Sequence, residues 1–179
     1  MKEGGPLTLV VRTLLFTVLL PNTLTVVVPY LILSGRDPGS PRLHVGSFRW
    51  AGLPLLTLGV IVYAACATWF GTVGRGTPAP WDPPRFLVRH RLYRYCRNPM
   101  YWGVVFIVAG EAILWDSVAL LVYAAVLWLA FHVRVLTYEE PHLRKTFGAV
   151  FDDYCRAVPR WLPTRRPSDV KKRLRLARG

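Results

Sequence analysis

The stretch NPMYWGVVFIVAGEAILWDSVALLVYAAVLWLAFHVRVL, residues 98–136, decides the fold. It holds two apolar blocks parted only by Asp116 and Ser117, a polar turn, and so predicts a tight hairpin of helices over residues 99–115 and 117–136. Asn98 is a good N-cap and Pro99 suits the first helical position, which puts the start of the first helix here. The unpaired N–H groups at that start lie at the expected membrane surface, where they are either simply capped or hold a carboxylate or phosphate of a ligand. Glu111 falls inside the first block. It is either functional or a carboxylate reaching interfacial water, roughly 7 Å along the helix. His132 and Arg134, near the end of the second block, either snorkel to the surface or line a polar cavity.

Immediately upstream, GRGTPAPWDPPRFLVRHRLYRYCR at residues 74–97 is polar and aromatic, and sets Arg75, Arg85, Arg89, Arg91, Arg94 and Arg97 against one acid, Asp82. It reads as a cytoplasmic loop that carries the chemistry. Residues 7–33 are nearly all apolar and make a first membrane span, with Pro21 expected to kink it and Arg12 to snorkel. This run is too long for a signal peptide and lacks a small-residue cleavage site, so it is expected to stay as an anchor. A Gly-, Pro- and Ser-rich loop follows at residues 34–49, then a second span at 50–73 with Trp50 and Trp69 near its ends.

Downstream, Leu143, Phe147, Val150, Phe151, Tyr154 and Val158 recur at helical spacing and predict one amphipathic surface helix over residues 138–158. Pro141 is expected to break or bend its join to the last span, fixing Glu139 and Glu140 where the chain leaves the membrane. Residues 164–179 are a basic tail suited to anionic lipid.

The fold class expected is therefore an all-α integral membrane protein of about four spans plus a surface helix. At 179 residues the length suits one domain, and 53% hydrophobic residues beside a net charge of +13 point to a membrane rather than to nucleic acid, because the apolar residues collect in blocks and the arginines in the connections. The Lys and Arg distribution puts both ends and the 74–98 loop in the cytoplasm. That membrane is the inner membrane of a bacterium or the endoplasmic reticulum of a eukaryote. Cys66, Cys96 and Cys155 are too scattered for a disulfide framework, and neither they nor the four histidines have a metal spacing. No metal, nucleic acid or protein partner is expected.

Four blocks in order, GRGTPAPWDPPRFLV, LYRYCRNPMYWG, EEPHLRKTFG and YCRAVPRW, resemble the isoprenylcysteine carboxyl methyltransferase-like family of integral membrane methyltransferases and, with Gly74, Gly76 and the double glutamate, the related phospholipid methyltransferases. The resemblance covers residues 74–163. It implies a compact helical fold in which the cytosolic loop and the emerging helix enclose S-adenosyl-L-methionine while a lipophilic acceptor arrives sideways from the bilayer. By motif position it implies cofactor contacts at Arg85, Phe86, Leu87, Val88, Tyr93, Asn98, Pro99, Met100, Tyr101, Glu139 and Glu140; Tyr101, Glu139 and, off the motif spacing, Arg134 are expected to form the catalytic group. Asn98 stands where many relatives have histidine. Arg134 is one residue from the spacing of the arginine that the eukaryotic enzymes use for the substrate carboxylate.

The residue types suit that chemistry. A methyl group leaves a sulfonium by in-line displacement, so the site has mainly to position two partners and exclude water. The acceptor is a lipid-like carboxylate or amine. Two alternatives stand beside it: an NADPH-dependent membrane reductase of the sterol or enone type, which shares an Arg-x-Pro-x-Tyr-x-Gly block, and a non-catalytic membrane scaffold.

Overall fold

The computed structural model describes residues 19–72 and 87–163. The start of the first expected span, the residues Gly74, Gly76, Asp82, Arg85 and Phe86, and the basic tail lie outside these. Among the described residues the regular structure is entirely helical: α1 (Val28–Ser34), α2 (Gly52–Thr72), α3 (Pro99–Leu114), α4 (Val118–Arg134), α5 (Glu140–Phe147) and α6 (Ala149–Ala157). Two continuous helical runs, Gly46–Trp69 and Val118–Phe147, are long and apolar enough to cross a membrane, whereas Thr23–Ser34 and Pro99–Leu114 are apolar but shorter.

The closest packing is between α2 and α3. Gly52 and Gly59 on one helix meet Gly110 and Gly103 on the other in antiparallel register; a Cβ added at Gly59 would lie 2.7 Å from the Gly103 carbonyl oxygen, and one at Gly110 would lie 2.7 Å from that of Gly52. Without side chains at these positions the two backbones touch, which is how helices gain dispersion contacts where lipid offers no hydrophobic contrast.

Helix α4 closes the bundle on the other side of α3. Leu120, Ala124, Leu127 and Phe131 recur every three or four residues and are buried, the last three against Val104, Val105 and Val108. Its opposite side exposes Leu121, Val122, Val126, Leu129 and Val133, a surface that only an apolar surrounding satisfies. The turn joining α3 to α4 runs through Asp116 at φ +51°, and the Ser117 hydroxyl accepts the Leu120 N–H at 3.3 Å as the cap of α4. Arg36 closes it from outside. Its guanidinium donates to the carbonyls of Trp115 and Asp116, each at 2.8 Å.

Two described helical runs pass through a π turn, and both do so where Leu-Thr is followed by a proline four residues after the threonine. Residues Thr23–Val27 precede Val28 and Pro29, and residues Val135–Glu139 precede Glu140 and Pro141. Each proline lacks the N–H that would reach the carbonyl four residues back, at Thr25 or Thr137, so the turn widens and the N–H before the proline bonds five back instead: Val28 to Thr23 and Glu140 to Val135. The expectation of a break or bend at Pro141 is corrected in one respect: the run does not break there, and continues to Phe147 through a wider turn. A second correction concerns the single surface helix over residues 138–158. Gly148, at φ +52°, divides it into α5 and α6, a conformation that side-chain-bearing residues rarely adopt.

A cleft of about 160 Å3, lined by Pro21, Asn22, Thr25, Tyr63, Val104 and Ile107, lies between the residues that lead into α1 and the α2–α3 pair.

Candidate functional site

The antiparallel hairpin brings the start of α3 beside the end of α4, and the π turn there delivers two consecutive acids to different partners. Glu139 Oε1 accepts from the Tyr101 hydroxyl and from Arg134 Nε, the latter at 2.9 Å. The Tyr101 ring stacks on Phe131 with centroids 4.4 Å apart, so the hydroxyl is aimed by packing as well as by the carboxylate. Residues 5 and 38 positions apart in sequence thus form one polar group at one end of apolar helices. Among the described residues Glu139 Oε2 has no partner.

Glu140, 9% exposed, turns the other way. Arg160 grips it with Nε on Oε1 at 2.6 Å and Nη2 on Oε2 at 2.9 Å, and Arg97 Nη1 lies 3.0 Å from Oε1. Burial alone raises a carboxyl group, but the Arg160 hydrogen bonds and the Arg97 charge outweigh it and hold Glu140 below its ordinary value.

Arg160 belongs to a strap, residues 158–161, that crosses the start of α3. Pro159 O accepts the Arg97 N–H at 3.0 Å, Arg160 O accepts from Asn98 Nδ2 at 3.1 Å, and Trp161 O accepts from Trp102 Nε1 at 2.9 Å. The Trp161 indole donates to His132 Nδ1 at 2.8 Å and lies against Trp102, Trp128 and Tyr101. The strap is anchored further by α6, whose buried Tyr154 hydroxyl donates to the Tyr93 carbonyl at 2.7 Å; burial pushes that phenol up, so it stays a donor.

The residues named from sequence divide accordingly. Tyr101, Arg134 and Glu139 come together. Asn98 stands at the cap position of α3, with Pro99 buried after it, but its side chain makes no cap bond and serves the strap instead, which corrects the N-cap reading. Val88 and Tyr93 are buried with Cys66, with Met100 packed against them, and Leu87 packs on Phe151 and Tyr154. Arg160 and Trp161 had no role of their own in the sequence reading, and Arg97 was named there only among the loop arginines. The signal was there in part, since YCRAVPRW was one of the four blocks and a buried acid pair needs cations.

Fold and site together define a helical membrane protein with a polar, aromatic site at one end of its apolar helices. The chain belongs to the phospholipid methyltransferase family, which matches it over residues 47–150. It is also similar to protein-S-isoprenylcysteine O-methyltransferases. With form A of Arabidopsis thaliana it is 29% identical over 117 residues, 63% of this chain and 57% of that one. With the probable enzyme of Oryza sativa subsp. japonica it is 33% identical over 78 residues, 43% and 40% of the two chains. The relative in Schizosaccharomyces pombe is likewise 33% identical over 78 residues, 33% of its length. The matches thus span about a third to rather more than half of these relatives. No solved structure matches the chain with comparable significance.

Proposed function

We propose that the protein transfers a methyl group from S-adenosyl-L-methionine to a lipophilic acceptor, a carboxylate or an amine, at the cytoplasmic face of a membrane that it crosses four times. The observation that carries this reading is the contact of Tyr101, Arg134 and Glu139 at one end of apolar helices in a chain of this family. The groups present suit such a ligand. Glu139 has one oxygen held by two donors and one without a partner among the described residues, so it can take an ammonium or ribose hydroxyl, and Arg134 beside it can pair with a carboxylate.

The bound donor supplies a methyl group on a sulfonium. The chain's part is positional: Glu139 and Arg134 orient charge, the Tyr101 ring and its Phe131 neighbour exclude water, and the apolar helices hold the acceptor's chain. A carboxylate acceptor needs no base, whereas an amine has first to lose a proton, for which Glu139 is placed.

Membranes containing the protein, incubated with methyl-labelled S-adenosyl-L-methionine and partitioned, test this. Label should enter the lipid extract, and Glu139→Gln should reduce it by about tenfold or more. Base-labile volatile label identifies an ester and stable label an amine. Label confined to water-soluble products overturns the lipophilic acceptor. A thermal shift with NADPH and none with the methyl donor makes the protein a reductase.

A further inference from the structure

We propose that Glu140, Arg97 and Arg160 form a positioning clasp that fastens the strap over the site, and that of the two adjacent acids Glu139 alone faces the ligand; the second half rests on the methyltransferase reading. Both Glu140 oxygens are taken by guanidinium groups, at 2.6, 2.9 and 3.0 Å. A ligand ammonium or hydroxyl could reach this carboxylate only by displacing a buried, bidentate pair. Glu139, one residue earlier, has an oxygen without a partner among the described residues and a side chain 26% exposed.

The clasp acts on the site through the strap. Arg97 and Arg160 are bound to one carboxylate, and their backbones are tied as well, Arg97 N to Pro159 O and Asn98 Nδ2 to Arg160 O. Trp161 follows directly, and its indole, steered by His132, lies 6.4 Å from the Tyr101 ring on which Phe131 stacks from 4.4 Å. Loosening Glu140 therefore frees Trp161, and with it one wall of the residue that holds Glu139. Arg97 also donates to Cys155 Sγ at 2.7 Å, so the guanidinium that pairs with Glu140 reaches α6 as well, while the Arg97 backbone holds the strap.

A double-mutant cycle on the full chain in detergent tests this, read by melting temperature and by titration with S-adenosyl-L-homocysteine. Glu140→Gln and Arg160→Gln should each lower the midpoint by about 5 °C or more and weaken binding by the same factor, with the double variant no worse than either single. Glu139→Gln should lose affinity by about tenfold with a smaller loss of midpoint. The clasp is overturned if neither glutamine variant lowers the midpoint. The division of roles is overturned if Glu140→Gln loses about tenfold more affinity than Arg160→Gln. Should a glutamine variant fail to fold, Glu140→Asp and Arg160→Lys carry the same comparison. If the wild type binds no S-adenosyl-L-homocysteine, the methyltransferase reading fails, while the midpoints still decide the clasp.

Discussion

Glu140 is a charged group in a place where burial favours a neutral one, and its two arginines reverse that preference. Because the folded protein holds the carboxylate more firmly than the unfolded chain does, the stability it contributes is present in full above the unfolded value of about 4.3 and is lost as the pH falls through that value and on through the lower folded one. The melting temperature of the wild type should therefore decline between about pH 6 and pH 3, and Glu140→Gln should flatten that slope while starting lower. A Glu140→Gln profile as steep as the wild type would show that other carboxylates cause the decline. Side chains of this kind were unevenly legible. Glu139 and Tyr101 could be named because they lie in the blocks that carry the resemblance, and Arg134 because it stands one residue from a spacing the family uses, but a list of residues does not say which of two adjacent acids faces inward. Nor could Asn98 be seen serving the strap rather than its own helix, since its competing acceptor is the carbonyl of Arg160, 62 residues away.

Among the helices, the α2–α3 contact is where one atom matters most. A Cβ at Gly59 would meet Gly103 O and Ile107 N, both at 2.7 Å, so the backbones have to separate and the neighbouring Gly52–Gly110 contact loosens with them. Gly59→Ala is expected to cost about 1–3 kcal/mol in detergent unfolding, while Gly39→Ala, with nothing within 4 Å, should change stability by less than about 0.5 kcal/mol. Equal effects of the two would mean that the helices do not touch as described. Seven-residue spacing of glycine in both segments was visible in the sequence, yet apolar patterning ignores a residue with no side chain. The same blindness hid Gly148: Leu143 and Phe147 before it and Phe151, Tyr154 and Val158 after it keep helical spacing, so one helix and two read alike until the backbone angle is known. The π turns were hidden for a different reason. A proline announces a missing hydrogen bond but not whether the helix answers by breaking or by taking in one more residue, and here Thr25 and Thr137 sit four before the two prolines in the widened turn.

At the scale of the molecule, the helical class and the apolar exterior of the described residues were legible in the order of the sequence, because blocks of apolar residues with arginine-rich connections admit few other arrangements. The number of crossings is a separate matter, since Thr23–Ser34 and Pro99–Leu114 are shorter than Gly46–Trp69 and Val118–Phe147. Four crossings with both ends inside lead to a definite labelling pattern: a cysteine placed at Gly39 should react with an impermeant reagent added to intact cells, and one at Asp82 should be protected. The opposite pattern would separate the site from a cytosolic methyl donor. The glycine contacts bear on traffic as well as on stability. Where two backbones touch at points about two turns apart there is little room for a lipid tail to part them, so the wall between α2 and α3 is closed along that stretch. If the acceptor is lipophilic, as proposed, it has to come round by another flank, and the cleft beside Asn22 and Tyr63 lies on one such flank.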